Sequence, residues 1–201
     1  MENGTTIMDP ETVFFSWDTS IEKDVVIGAN IVFGKNVSIE SDVTVNSFCS
    51  IENSIIKQGA SIGPFSRLRN GAEIGQDSKI GNFVEVKNSS LKEGVKASHL
   101  SYIGDAEIDE NANIGAGTIT CNYDGVDKHK TTIGKRAFIG SNSSLIAPLN
   151  IGDDANIAAG SSISKDVESG SLAITRAPIK FISNWSKKLR KNNNEEEKCV
   201  E

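Results

Sequence analysis

An apolar residue recurs every six positions through most of this chain, with occasional five-residue steps. These anchor residues run from Ile21 to Ile114, and the period resumes at Ile133 and continues to Ile163. Neither an α-helix nor an alternating β-strand sustains a six-residue period. The pattern is typical of a repeat protein, in which each short unit buries its apolar face only by stacking on its neighbours.

A small or β-branched residue follows most anchors at the fourth position, so each hexad has one large and one small inward-facing residue. Three short strands per turn then close a triangular coil, and successive coils pair their backbones along the axis. At about eighteen residues per coil, residues 21–168 make roughly eight coils. Glycines directly after the anchors indicate tight corners, where glycine allows positive φ. They are Gly28, Gly34, Gly63, Gly75, Gly81, Gly104, Gly115, Gly134, Gly140 and Gly152.

The period divides the chain and is interrupted once. We expect residues 1–20 to be a linker remnant, 21–168 the repeat domain, 169–191 a C-terminal extension and 192–201 a disordered tail. Residues 119–132, ITCNYDGVDKHKTT, contain the turn signal Asp124-Gly125 and predict a projecting loop. Loops on a rigid scaffold often carry binding groups, although a tolerated surface insertion remains the alternative.

Composition limits the classes of function. The net charge of -6 argues against a nucleic-acid partner. Three dispersed cysteines imply no disulfide framework, and no apolar stretch has membrane-spanning length. We therefore expect a cytoplasmic protein. The basic segment 180–191, KFISNWSKKLRK, is either a solvated terminal helix or a contact with a polyanionic ligand or a neighbouring subunit.

The rarer residue types concentrate in residues 98–125, SHLSYIGDAEIDENANIGAGTITCNYDG. Both tyrosines of the chain, Tyr102 and Tyr123, lie in this stretch, together with His99, one of two histidines. A histidine suits proton transfer near neutral pH. The other histidine, His129, lies between two lysines of the projecting loop, and we interpret it as loop surface.

The ordered strings RLRNGAEIG, GNFVEVKNS, HLSYIGDAEI, NIGAGTITCNYDG, KHKTTIG and IGSNSSLIAPLNIG carry a resemblance. They resemble the left-handed β-helix acyltransferases. In particular, they look like the C-terminal domain of the bifunctional N-acetylglucosamine-1-phosphate uridyltransferase/glucosamine-1-phosphate N-acetyltransferase family. The resemblance runs from about residue 9 to residue 178. It implies an all-β, single-stranded left-handed parallel β-helix, and a homotrimer with sites between subunits.

The resemblance implies transfer of an acetyl group from acetyl-CoA to the amino group of glucosamine 1-phosphate. The product, N-acetylglucosamine 1-phosphate, serves UDP-N-acetylglucosamine and cell-envelope synthesis. No Gly-rich nucleotide-binding loop of the family's N-terminal half occurs here, so we expect no uridyl transfer and no metal for the acetyl step. The amine attacks directly, so Cys121 is not needed as a nucleophile.

The resemblance also assigns roles to residues of this chain. The general base is His99. The substrate-binding residues are Arg69, Lys87 and Lys128 for the phosphate, with Tyr102 for the sugar phosphate and Asn113 for the sugar. The acetyl-CoA-binding residues are Ala116, Asn122, Tyr123, Ser141, Ala159 and Arg176.

Three alternatives remain open. A carbonic-anhydrase-like zinc enzyme needs three histidines, of which the chain has two. The second alternative, a non-catalytic trimeric assembly or regulatory module, would not need the residues of an acetyltransferase site. The third, an acetyltransferase for another amino sugar, would not need the phosphate-binding residues Arg69, Lys87 and Lys128.

Overall fold

The computed structural model describes residues 4–186 of the chain. In that range a short 3₁₀ helix, Pro10–Thr12, accompanies twenty-seven short strands. The strands are β1 (Thr6–Ile7), β2 (Val13–Phe14), β3 (Ser20–Ile21), β4 (Val26–Ile27), β5 (Ile31–Phe33), β6 (Val37–Ile39), β7 (Thr44–Val45), β8 (Ser50–Ile51), β9 (Ser54–Ile56), β10 (Ser61–Ile62), β11 (Arg67–Arg69), β12 (Ala72–Ile74), β13 (Lys79–Asn82), β14 (Glu85–Lys87), β15 (Ser90–Leu91), β16 (Lys96–His99), β17 (Tyr102–Gly104), β18 (Ala106–Ile108), β19 (Asn113–Ile114), β20 (Ile119–Cys121), β21 (Thr131–Ile133), β22 (Phe138–Ile139), β23 (Ser144–Ile146), β24 (Leu149–Ile151), β25 (Asn156–Ile157), β26 (Ser162–Ile163) and β27 (Leu172–Ala173).

The strands form three parallel sheets that the chain visits in turn. The first sheet has the order β1-β4-β7-β10-β13-β16-β19-β22-β25-β27, and the second β2-β5-β8-β11-β14-β17-β20-β23-β26. The third has the order β3-β6-β9-β12-β15-β18-β21-β24. Three strands per coil make about nine coils from 27 strands. The predicted all-β solenoid of hexapeptide repeats is confirmed, and the arrangement is consistent with a left-handed parallel β-helix.

The core is a stack of anchor residues in register. Leu68 pairs with Val86, and Val86 pairs with Ile103 on the next coil. Of the largest fully buried side chains, all but Ile31 are anchors of the six-residue period. Each such side chain stabilises the fold by roughly 1.5–3 kcal/mol. The period therefore sets the core directly, with one anchor per strand facing the axis.

The corners differ from the expectation in one respect. Positive φ occurs two or three residues after the anchors rather than at the glycine directly after them, as at Asp105 after Ile103 and Asn142 after Ile139. The anchor-following glycines serve close packing instead. A Cβ on Gly140 would overlap backbone atoms of Ala159 on the next coil. Among those glycines, only Gly63 also has positive φ.

The projecting loop leaves the solenoid between the second and third sheets. It comprises residues 122–130, since β20 extends to Cys121 and β21 begins at Thr131. The side chain of Asp124 accepts hydrogen bonds from the backbone N–H groups of Val126 and Asp127, both at 2.8 Å. It also pairs with the imidazole of His129 at 2.7 Å. The loop is therefore closed by its own side chains.

Strands extend the solenoid beyond residues 21–168 at both ends. β1 and β2 pair with the second coil, and β27 pairs with β25. In residues 4–186 no helix has the length and apolar character needed to span a membrane. The tail 192–201 and the end of the basic segment, from residue 187 onward, lie outside the described residues.

Candidate active site

Four side chains of the second sheet form an outward-facing group that we call the cation face: Arg69, Glu85, Lys87 and Tyr102. Arg69 and Lys87 stand in register on β11 and β14. The Nε of Arg69 donates to Oε1 of Glu85 at 2.6 Å, and its terminal nitrogens make no hydrogen bond to any residue in the range 4–186. Tyr102 lies in register with Glu85, and its ring covers Gly104. The structure thus joins three of the predicted substrate-binding residues on one face.

Lys87 is a buried cation with a partly buried counterion. It is only 8% exposed, and its Nζ lies 3.1 Å from a carboxylate oxygen of Asp105. That carboxylate also accepts hydrogen bonds from the side-chain amides of Asn88 and Asn122. Burial raises the pKa of Asp105, but these hydrogen bonds and the charge of Lys87 outweigh burial and hold the pKa below its ordinary value.

His99 ends β16 at the corner between the first and second sheets, with an exposed side chain. Its Nδ1 lies 2.7 Å from Oδ1 of Asn82, the residue in register one coil earlier. An amide oxygen only accepts hydrogen bonds, so Nδ1 carries the proton. In the neutral imidazole the lone pair is then on Nε2, which makes no hydrogen bond within residues 4–186.

His99 belongs to a column of residues at this corner. Ala97, Ile114, Ile139 and Ile157 pair in register on successive coils of the first sheet. Each of these four residues is followed, two positions later, by a residue at the corner. We call these residues the corner column: His99, Ala116, Ser141 and Ala159. The carbonyl groups of Ala116 and Ser141 accept hydrogen bonds from the coils above them at 2.7 and 2.8 Å. The structure thus places three predicted acetyl-CoA-binding residues in line with the predicted base.

The remaining acetyl-CoA candidates flank these groups. Arg176 is exposed, and its side-chain stem lies beside Gly160, directly after the corner column. Asn122 is buried against Asp105, whereas Tyr123 is exposed on the loop, where its hydroxyl donates to the carbonyl of Gly125 at 2.6 Å.

Two predicted substrate residues stand outside the second sheet. Asn113 lies on the outward side of the first sheet, between Lys96 and Phe138. Lys128 lies on the loop and lines a groove that Asp105, the partner of Lys87, also lines. One chain therefore carries the predicted substrate set on the first sheet, the second sheet and the loop.

Sequence reasoning missed three residues of this region: Asn82, Glu85 and Asp105. The available signal was spacing, because Asn82 precedes His99 by seventeen residues, one coil in this part of the chain. Glu85 likewise precedes Tyr102 by one coil. Asp105 gave no such signal, because its importance depends on a loop whose path the period does not predict.

The repeats that build the coil match two known families of hexapeptide-repeat proteins. The bacterial transferase hexapeptide (six repeats) family matches residues 53–88, and the hexapeptide repeat of succinyl-transferase matches residues 130–165.

The chain is 50% identical over 190 residues to the bifunctional protein GlmU of Paramagnetospirillum magneticum and 52% identical over 190 residues to that of Zymomonas mobilis. Each alignment covers 94% of this chain and 42% of the relative. GlmU of Wolbachia pipientis is 54% identical over 175 residues, which cover 87% of this chain and 41% of the relative. The chain is a homologue of the GlmU proteins, corresponds to their C-terminal part and spans about two fifths of their length.

Solved structures show the same fold at lower identity. A UDP-N-acetylglucosamine acyltransferase of Francisella novicida superposes with a TM-score of 0.74 at 17% identity, covering 93% of this chain and 73% of that one. LpxA of Bacteroides fragilis, also a UDP-N-acetylglucosamine acyltransferase, gives a TM-score of 0.68 at 21% identity, with 92% and 78% coverage.

Proposed function

We propose that this chain transfers the acetyl group of acetyl-CoA to the amino group of glucosamine 1-phosphate. The observation that carries the proposal is the position of His99. It stands at one corner of the solenoid, in line with Ala116 and Ser141, and the sheet that begins at that corner bears the cation face. The homology to bifunctional GlmU over nearly the whole chain supports the same activity.

The residues suggest how the two substrates are held. Arg69 offers unused guanidinium donors and Lys87 a fixed positive charge, which suit a phosphate group. The small side chains of the corner column leave room for the pantetheine arm of acetyl-CoA to lie next to the backbone of the coils. Arg176 supplies a positive charge for a CoA phosphate. Tyr102 and Asn113 hydrogen-bond the sugar phosphate and sugar.

The chemistry needs one base and no covalent enzyme intermediate. The neutral amine attacks the thioester carbonyl carbon and forms the C–N bond, while Nε2 of His99 takes the amine proton. The tetrahedral intermediate then collapses, the C–S bond breaks, and the CoA thiolate leaves and takes up a proton. Holding both substrates in one ternary complex supplies much of the acceleration.

We further propose that the active unit is a homotrimer. Asn113 stands on the first sheet and Lys128 on the projecting loop, and in a trimer a neighbouring chain would bring further groups to these surfaces. An exposed apolar stripe leads along the coils to His99. It consists of Phe48, Phe65 and Phe83, whose rings stack, followed by Leu100. Exposed apolar stripes of this kind mark contact surfaces.

A thiol-release assay tests the activity. Purified protein is given acetyl-CoA with glucosamine 1-phosphate, or with free glucosamine as the matched control. We expect rapid release of CoA with the phosphorylated sugar and much slower release without the phosphate. Equal rates would favour another amino sugar as the substrate. No release with either, in a protein that binds neither substrate, would favour the non-catalytic assembly module. With this activity we expect a cytoplasmic enzyme of UDP-N-acetylglucosamine synthesis.

A further inference from the structure

Asp105 lies outside every predicted site position, yet it contacts two of them. Its carboxylate pairs with Nζ of Lys87 at 3.1 Å and accepts a hydrogen bond from the side-chain amide of Asn122. In the proposed function Lys87 binds the acceptor phosphate and Asn122 belongs to the acetyl-CoA site. One carboxylate therefore touches a residue of each substrate site.

Asp105 also holds both ends of the projecting loop. At the start of the loop, the side-chain amide of Asn122 donates a hydrogen bond to the Asp105 carboxylate. At its end, the backbone N–H of Thr131 donates to the Asp105 carbonyl at 3.2 Å. The φ of Asp105 is 50°, a conformation that Asp and Asn adopt more readily than other non-glycine residues. Its position at the corner is thus set by the backbone as well as by its partners.

The carboxylate is tightly held. Its side chain is 12% exposed, and a third donor, Nδ2 of Asn88, lies 2.5 Å from Oδ1. Its lowered pKa keeps it ionised at neutral pH. A buried ion pair contributes little net stability compared with apolar packing, so stability alone does not account for such an arrangement.

We propose that Asp105 is a positioning residue whose carboxylate binds both Lys87 and the projecting loop. These contacts fix the acceptor-phosphate site and the acetyl-donor site relative to each other. The proposal rests on the proposed function. It predicts that a change at Asp105 affects the binding of both substrates, although it touches neither.

The test compares Asp105→Asn with Asp166→Asn. Asp166 also binds an asparagine of a neighbouring coil, Asn150, but is exposed and pairs with no lysine of the described part of the chain. We expect Asp105→Asn to raise the KM for glucosamine 1-phosphate and for acetyl-CoA about tenfold each, and to speed amide hydrogen exchange in residues 122–131. Asp166→Asn should change none of these. In a Lys87→Met background, Asp105→Asn should raise only the KM for acetyl-CoA.

Two results would overturn the proposal. One is an unchanged KM for acetyl-CoA with unchanged loop exchange in Asp105→Asn. The other is an equal further rise in the acceptor KM in the Lys87→Met background, which indicates general damage. If Asp105→Asn fails to fold, Asn88→Gly replaces it, because it loosens the carboxylate without leaving a charge unpaired, and smaller rises in both KM values are expected. If the unaltered protein transfers no acetyl group, the proposed function fails, and hydrogen exchange still decides whether Asp105 seats the loop.

Discussion

Nδ1 of His99 lies 2.7 Å from Oδ1 of Asn82, its register partner one coil earlier in the first sheet. The amide oxygen fixes the proton on Nδ1 and directs the lone pair of Nε2 outward. A side chain on the neighbouring coil thus selects the tautomer that a general base requires.

Removing this partner should weaken the base. We expect Asn82→Ala to lower kcat about tenfold, less than loss of the imidazole itself, because the ring loses the partner that orients it but is still present. Asn82→Asp retains an acceptor oxygen for Nδ1 and should keep more of the activity than Asn82→Ala. A kcat unchanged in Asn82→Ala would show that Asn82 does not orient the base.

The cation face makes a second prediction. Arg69→Ala should raise the KM for glucosamine 1-phosphate about ten- to hundredfold, as expected for losing a hydrogen bond to a charged group. The KM for acetyl-CoA should stay the same. The matched control is Arg136→Ala, since Arg136 pairs with Asp154 at another corner. Equal rises for both substrates would contradict the assignment of Arg69 to the phosphate.

The apolar stripe makes a third prediction. Phe65 stacks between Phe48 and Phe83, and all three rings are about half exposed. If a neighbouring chain covers them, Phe65→Asp should shift the protein from trimer to monomer in sedimentation velocity and reduce acetyl transfer with it. Ile55→Asp, on the third sheet, is the control. A trimer that survives Phe65→Asp would place the interface elsewhere.

The ion pair of Asp105 and Lys87 makes a prediction about pH. The folded-state pKa of Asp105 is lowered relative to the unfolded chain, so its contribution to stability is fully present above about pH 4 and is lost as the pH falls through the folded-state pKa. We expect Asp105→Asn to lower the free energy of unfolding by about 1.5–3 kcal/mol at pH 7. That difference should shrink steadily below about pH 4 in urea titrations. A difference independent of pH would show that the charge of Asp105 does not stabilise the fold.

The six-residue period was sufficient to predict the coil, the three sheets and the anchors of the core, because each hexad makes the same contacts as the next. It did not predict the first coil, since the strands of Thr6–Ile7 and Val13–Phe14 lie outside the regular anchors. It also gave the wrong place for positive φ, because packing against the next coil, not local conformation, selects glycines such as Gly140.

The site was harder to predict because its columns do not follow one spacing. His99 and Ala116 are seventeen residues apart and Ser141 and Ala159 eighteen, whereas the loop separates Ala116 from Ser141 by twenty-five. Motif resemblance supplied the members of the corner column. Asn82, the partner of His99, could have been found from the one-coil spacing, whereas Asp105, which contacts Lys87 and Asn122, became visible only when the path of the loop was known.

The most direct test of the account is acetyl transfer by His99→Ala, compared with His129→Ala, the other histidine of the chain. The side chain of His99 is exposed, so the variant should fold and assemble as before. Thiol release with acetyl-CoA and glucosamine 1-phosphate should fall by roughly 10²–10⁴-fold in His99→Ala. His129→Ala should have a much smaller effect. Near-normal turnover of His99→Ala, with the pH profile of the unaltered protein, would contradict the assignment of His99 as the base.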